Sequence, residues 1–350
     1  MQGIQYIRLQ SKRLSYDLEL RHKVSIIQGN SGTGKTTLVN CAIKSLKQKV
    51  FKDTSTKRLI AMNEFAGDVD DVISRIQRGK DSIIIMDEST SGLASKEVAE
   101  AINNSDCYFV LVTREPLSNI PYSIDAVYTL ETIGTKHVLK NRFSRSTDGN
   151  KVKPQYIICE DSKSGFILFK LIDTMDKYVV TSRGKSNVIN MAIDLQSSTH
   201  SRVLIIADGA AFGDHIERLI SAQTKFNIAA YLPESTEFLL LHSVIFKQDV
   251  DLEQLIHTVD TSFISSEQMY TQILKQKMQE IGLTYSKSGL NRCFVDSCCP
   301  MGVNCIKLVK DRSIDKLDTL LEEMPIDFSL IYIDKKRNTL KRNNTEYLYD

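Results

Sequence analysis

No stretch of the 350 residues approaches the roughly 20 consecutive apolar positions that a membrane-spanning helix needs. The opening residues, Met1-Gln2-Gly3-Ile4-Gln5-Tyr6, hold no apolar core of the kind a secretory signal carries. Together these absences predict a cytoplasmic protein with no membrane partner. A charge of one sign is lacking too. Lys and Arg number 45 against 43 Asp and Glu, a net of +2, so bulk charge does not point to nucleic acid. Two local basic clusters leave that partner open: Arg142, Arg145, Lys151 and Lys153, then Lys335, Lys336, Arg337, Lys341 and Arg342. Charge runs of this size are equally at home on a solvated surface. No internal repeat occurs. What remains is a composition ordinary for a globular chain, 42% hydrophobic and 25% charged, long enough for about two domains.

The order of apolar segments defines the fold class. Ile4–Leu9 and Leu14–Leu20 alternate as two antiparallel strands, and Val24–Gln28 is a third that runs into a glycine-rich loop. Thr36–Lys49 has helical spacing. Ser82–Met86 and Cys107–Val112 are unbroken apolar runs, as strands buried on both faces are. Helical patterns at 70–78 and 95–102 fall between strands at 58–62, 82–86 and 107–112, and a last strand covers 126–130. Strands alternating with helices predict an α/β fold with a parallel sheet and right-handed crossovers. The same alternation restarts at Tyr156 and continues through Leu232. The expected organisation is a first α/β domain at 1–142, a polar linker at 143–153, and a second α/β domain at 154–235. A mainly helical region at 236–334 and a polar tail at 335–350 follow.

The glycine-rich loop carries the sharpest motif. Gly29-Asn30-Ser31-Gly32-Thr33-Gly34-Lys35-Thr36 matches G-x-x-x-x-G-K-[ST] between a strand and a helix, with Thr37 continuing into the helix. Glycines let successive N–H groups converge on one anion, and the helix N-terminus adds partial positive charge. Lys35 then meets the β- and γ-phosphates, and the Thr36 hydroxyl meets Mg²⁺. Asp87 and Glu88 end the Ser82–Met86 strand. There an Asp is placed to hold Mg²⁺ through water, and the next Glu to polarise an attacking water as the catalytic group. Thr113 and Arg114 end the following strand. A polar residue there is placed to sense the γ-phosphate, and Arg114 alternatively to serve a neighbouring subunit of a homo-oligomer. No [NT]-K-x-D guanine motif is present, so ATP with Mg²⁺ is the expected ligand pair.

The two leading strands and the segment Asp87-Glu88-Ser89-Thr90-Ser91-Gly92-Leu93 resemble the ABC/OLD-like branch of P-loop ATPases. An L-S-G-G-Q signature and a switch histidine after Thr113 are missing, which makes this a reduced ATPase.

In the second half, Tyr156–Cys159 ends in Glu160, and Val203–Ala207 ends in Asp208. Acids at the carboxyl ends of parallel strands can share a divalent metal. The order strand-Glu, helix, strand, helix, strand-Asp resembles the TOPRIM fold of topoisomerases, primases and OLD-family nucleases. That resemblance implies Mg²⁺ at Glu160 and Asp208 and phosphodiester chemistry on nucleic acid, in which ATP gates the second domain, as in anti-phage or mobile-element proteins. The second acid of the Asp-x-Asp pair is replaced by Ala210, with Asp161, Asp214 and Glu217 as candidate substitutes. Ser182, Lys185 and Ser186 form a small polar loop able to bind phosphate. The alternative is a regulatory ATPase whose second half binds a protein partner without catalysis. Cys293, Cys298, Cys299 and Cys305 are four thiols able to form a Zn²⁺ site, although their spacing suits free thiols better. Cys41, Cys107 and Cys159 lie in or beside apolar runs as buried thiols do.

Overall fold

Ile83–Met86 and Tyr108–Val112 are buried at every position, and each lies between two parallel neighbours. That is why their sequences run apolar without alternation. The computed structural model describes residues 3–29, 32–48, 52–145, 154–172, 178–241, 255, 258–288, 290 and 331–332. The expected linker from 146 onward, most of the helical patterns between 242 and 257, the four clustered cysteines and the polar tail lie outside them. The chain divides into two compact units. Unit 1 comprises residues 1–143 and 253–266, and unit 2 comprises 144–252 and 267–350.

Unit 1 holds a nine-stranded sheet. Its strands are β1 (Gln5–Gln10), β2 (Ser15–Leu20), β3 (Val24–Ile27), β4 (Lys52–Asp53), β5 (Leu59–Met62), β6 (Ile83–Met86), β7 (Tyr108–Val112), β8 (Val127–Ile133) and β9 (Lys136–Asn141). They lie in the order β4-β1-β2-β9-β8-β3-β7-β6-β5. The five strands β8-β3-β7-β6-β5 are parallel, and β1 pairs antiparallel with β2. Three helices provide crossovers: α1 (Lys35–Gln48), α2 (Val69–Arg78) and α3 (Lys96–Asn103). Asp68 and Ser95 cap α2 and α3 by accepting from Asp71 N and Val98 N, so both start where a side-chain oxygen replaces a missing carbonyl. Strand β9 was not expected from sequence. Its segment Lys-His-Val-Leu-Lys-Asn has no fully buried position, so it shows no alternation to read. Residues 253–266 return to unit 1, where Val259 joins the core and its carbonyl accepts from Gly3 N at 3.2 Å.

Unit 2 contains a short pair, β10 (Ser144–Arg145) with β15 (Ile331–Tyr332), and a four-stranded parallel sheet. The sheet is built from β11 (Tyr156–Cys159), β12 (Tyr178–Thr181), β13 (Val203–Ile206) and β14 (Ile228–Tyr231), in the order β12-β11-β13-β14. Parallel neighbours need crossovers, which α4 (Ser164–Ile172), α5 (Lys185–Thr199) and α6 (Ile216–Gln223) supply. Two more helices follow, α7 (Thr236–Leu241) and α8 (Ser266–Glu280). The chain leaves β11 toward β12 and then returns to the other side as β13. The carboxyl ends of β11 and β13 therefore flank a topological switch point, where open α/β sheets form their crevices.

Candidate functional site

In unit 1 the loop after β3 turns on glycine. Gly32 and Gly34 have φ of 85° and 89°, a region that other residues rarely enter. From this turn α1 starts at Lys35, with Leu38 N donating to Gly34 O at 2.9 Å. Asn30 and Ser31 lie outside the described residues. Tyr16, stacked on His137 at 4.7 Å between centroids, donates its hydroxyl to Gly34 O at 3.2 Å. Lys35 is buried. Its Nζ donates to Gly29 O at 2.7 Å and to Thr33 Oγ1 at 3.2 Å. Burial holds its pKa below the ordinary lysine value, and the positive Arg114 adds to this while Glu88 and Asp87 oppose it.

The ends of β6 and β7 complete the arrangement. Thr36 and Thr37 are exposed on the first turn of α1, where Thr36 comes close enough to the Asp87 carboxylate to favour its charged form. Asp87 is buried and its Oδ1 accepts from Glu88 N at 2.7 Å. Burial raises its pKa, with the neighbouring Glu88 charge contributing. Glu88 pairs with Arg114 at 3.1 Å. Thr113 bonds within its own turn, where its hydroxyl donates to Glu115 O at 2.8 Å and accepts from Glu115 N at 3.1 Å. The sheet thus brings the loop, Lys35, Thr36, Asp87, Glu88 and Arg114 to one edge.

Residues 25–109 match the family model described as ATPase family associated with various cellular activities (AAA). This stretch is similar to an ATPase domain. The match supports ATP binding and hydrolysis by unit 1, and it extends neither to the ABC/OLD-like branch nor to a TOPRIM-like second half. No curated protein and no solved structure matches the chain. No helix among the described residues is long and apolar enough to cross a membrane.

Apart from the ATPase domain, unit 2 carries a second group of chemistry-bearing residues. Glu160 and Asp208 end β11 and β13, and Asp208 N donates to Glu160 Oε2 at 3.1 Å. Asp208 Oδ1 in turn accepts from Thr236 N at 3.0 Å, at the start of α7. The close approach depends on Gly209, since a Cβ there would stand 2.8 Å from Leu232 O. Burial pushes the Glu160 carboxyl up to about 7 and the Asp208 carboxyl well above its ordinary range. Both line a cavity of ≈ 170 Å³ with Asp161, Glu237, Glu267 and Lys287.

Glu237 and Glu267 did not stand out in the sequence. They come from α7 and α8, separated from the strand ends and from each other, and no spacing rule connects them. Of the substitutes expected for a second acid, Asp161 lines the cavity and spends Oδ1 on Phe166 N at 3.1 Å. Asp214 and Glu217 do not line it. Asp214 is buried against Lys185 at 3.0 Å and His215 at 3.5 Å. The loop read as phosphate-binding is likewise occupied: the Ser182 hydroxyl donates to backbone carbonyls, and Lys185 Nζ donates to Ala211 O as well as Asp214.

Proposed function

We propose that unit 1 is a Mg²⁺-dependent ATPase in which Glu88 is the catalytic base. The observation that carries this reading is the approach of Thr36 to the Asp87 carboxylate, whose pKa it lowers against the effect of burial. It joins, across 50 intervening residues, the two side chains that would hold Mg²⁺. Their donor set, one hydroxyl and one carboxylate beside a loop shaped for phosphate, fits a hard cation that keeps several waters. When bound, Mg²⁺ neutralises charge on the transferred phosphoryl group.

The protein's own residues do the rest. The Gly29–Thr36 loop and the α1 N-terminus cradle the phosphates, and Lys35 exchanges the carbonyl of Gly29 for a phosphate oxygen. Arg114 is drawn from Glu88 toward the terminal phosphate, which leaves the Glu88 carboxylate free to orient water and accept its proton. The pairing of Arg114 with Glu88 of its own chain supports action within one subunit, with action on a neighbouring subunit as the alternative. The test pairs ATP binding with phosphate release for Glu88→Gln. Binding is retained and release falls by about 10²- to 10⁴-fold, the usual worth of a positioned base. Parental rates in Glu88→Gln would remove it from the mechanism.

A second reading concerns unit 2. The acidic cavity at its switch point favours metal-dependent phosphodiester chemistry on nucleic acid over a non-catalytic partner surface. DNA or RNA cut in Mn²⁺ by the parent, and not by Glu160→Gln, supports it. Cutting that survives this change argues for the protein-binding alternative.

A further inference from the structure

We propose that unit 2 binds one hard divalent cation through Asp208, Glu237 and Glu267, with Lys287 as the counter-charge the cation displaces. This rests on the second reading above only for the choice of cavity. It departs from the ligand set that a strand-end pair, Glu160 with Asp208, would supply.

Geometry comes first. One carboxylate oxygen from each of Asp208, Glu237 and Glu267 can be chosen so that all three lie within 4.8 Å of one another. Oxygens that share an ion at about 2.0–2.6 Å stand roughly 3–5 Å apart, so the three need little movement to converge. A separate observation points to a missing ligand. Glu237 is 2% exposed. Its Oε1 accepts from the Tyr285 hydroxyl at 2.7 Å, and its Oε2 is buried with no hydrogen-bond partner. A carboxylate oxygen hidden from water and left without a donor is what a cation site shows before the cation arrives.

The supporting contacts hold these carboxylates in place. Thr236 N fixes Asp208, and the Tyr285 hydroxyl, itself 3.2 Å from Ser164 Oγ, fixes Glu237. Such outer contacts orient ligands in metal sites. Charge completes the case. Glu160, Asp161, Asp208, Glu237 and Glu267 line the cavity, and Lys287 supplies the ammonium that faces them most directly. Lys287 hydrogen-bonds Glu267 and stands 3.7 Å from Glu237 Oε1. Its side chain is 35% exposed, so it has a path into solvent when a doubly charged ion takes its place. All-oxygen ligation selects Mg²⁺, Mn²⁺ or Ca²⁺ over Zn²⁺.

The experiment titrates nucleotide-free full-length protein with MnCl₂, reading bound Mn²⁺ by electron paramagnetic resonance. The parent binds an ion that Asp87→Asn retains, which separates this site from the ATPase loop. Glu237→Gln and Glu267→Gln weaken it by about tenfold or more, the scale of losing a ligand or its support. Lys287→Met tightens it, an outcome that a purely structural lysine would not give. Thermal melting without metal checks folding, and Glu237→Gln melts no lower than the parent because it relieves like-charge crowding. Unchanged affinity in Glu237→Gln, binding lost only in Asp87→Asn, or weaker binding in a folded Lys287→Met overturns the proposal. Because no cleavage is measured, the site can stand or fall apart from nuclease activity.

Discussion

The two units place charge at the carboxyl ends of parallel strands in different proportions, balanced in unit 1 and acidic in unit 2. In unit 1 the acids Asp87 and Glu88 are matched by Lys35 and Arg114, with Arg114 directly on Glu88. In unit 2 five acids line one cavity with two lysines, Lys163 and Lys287, and Lys287 pairs with Glu267. The lysines report the same contrast. Burial lowers the proton affinity of Lys35. Lys287 is held above the ordinary value: burial works against its charge, and Glu267, Glu237 and Asp208 outweigh it. A buried lysine beside a glycine-rich loop, with its charge held against desolvation, suits a phosphate. Five carboxylates facing two ammoniums leave an excess of negative charge that suits a metal ion.

The largest effect that would break this comparison is at Lys35. Replacing it by Ala leaves the phosphates facing a loop without its ammonium. ATP binding should weaken by about 2–5 kcal/mol, roughly 30- to several-thousand-fold, as when one partner of a buried charged hydrogen bond is removed. Fluorescent-nucleotide titration reads this directly, and near-parental affinity would mean that the loop is not a phosphate cradle.

Next comes Arg114. Its removal should lower the turnover number by roughly 10²- to 10³-fold, as loss of one donor to a developing charge does. Mixing Arg114→Ala with Glu88→Gln sharpens the assignment. If both residues act within one subunit, the mixture stays as inactive as its components. Recovery on mixing would show that Arg114 works across an interface.

Legibility from sequence follows the same division. The nucleotide loop could be read because its chemistry is local: eight contiguous residues between a strand and a helix. Asp87-Glu88 could be read because burial on both faces makes β6 an unbroken apolar run whose end is visible. Glu160 and Asp208 were legible for the same reason, as strand-end acids. Glu237 and Glu267 were not, because the fold and the Tyr285 hydroxyl, not spacing, bring helix residues to the strand ends. Strand β9 escaped for a different reason. Its positions are half-exposed, so the period-2 signal is absent.

Gly209 tests whether the acidic cavity depends on backbone closeness. In Gly209→Ala the new methyl meets Leu232 O at 2.8 Å and Pro233 O at 2.9 Å. Unit 2 should lose about 1–3 kcal/mol, the usual cost of overpacking, and Mn²⁺ affinity should fall with it. Parental stability and affinity would show that the turn can relax without moving Asp208.

The smallest effect concerns Lys23, which extends the charge comparison away from both sites. It is 6% exposed, and its ammonium donates to Asn103 O at 3.1 Å, at the C-terminal end of α3. Burial lowers its pKa from 10.5 to about 8, despite the opposing influence of Asp106 and Asp260. The sign follows from proton binding. Below pH 8 the folded and unfolded forms are both charged, and the folded form bears the full cost of burying that charge. Between pH 8 and 10.5 the folded form releases its proton first, so the unfolded form binds more protons and stability rises with pH. Lys23→Met has no such proton to release, although it gives up the bond to Asn103 O. Urea unfolding should show a gain of about 1–2 kcal/mol from pH 8 to 10.5 in the parent, relative to the variant, after allowance for solvent screening. Parallel pH profiles would mean that Lys23 carries its charge without strain, and that unit 1 compensates this buried cation fully.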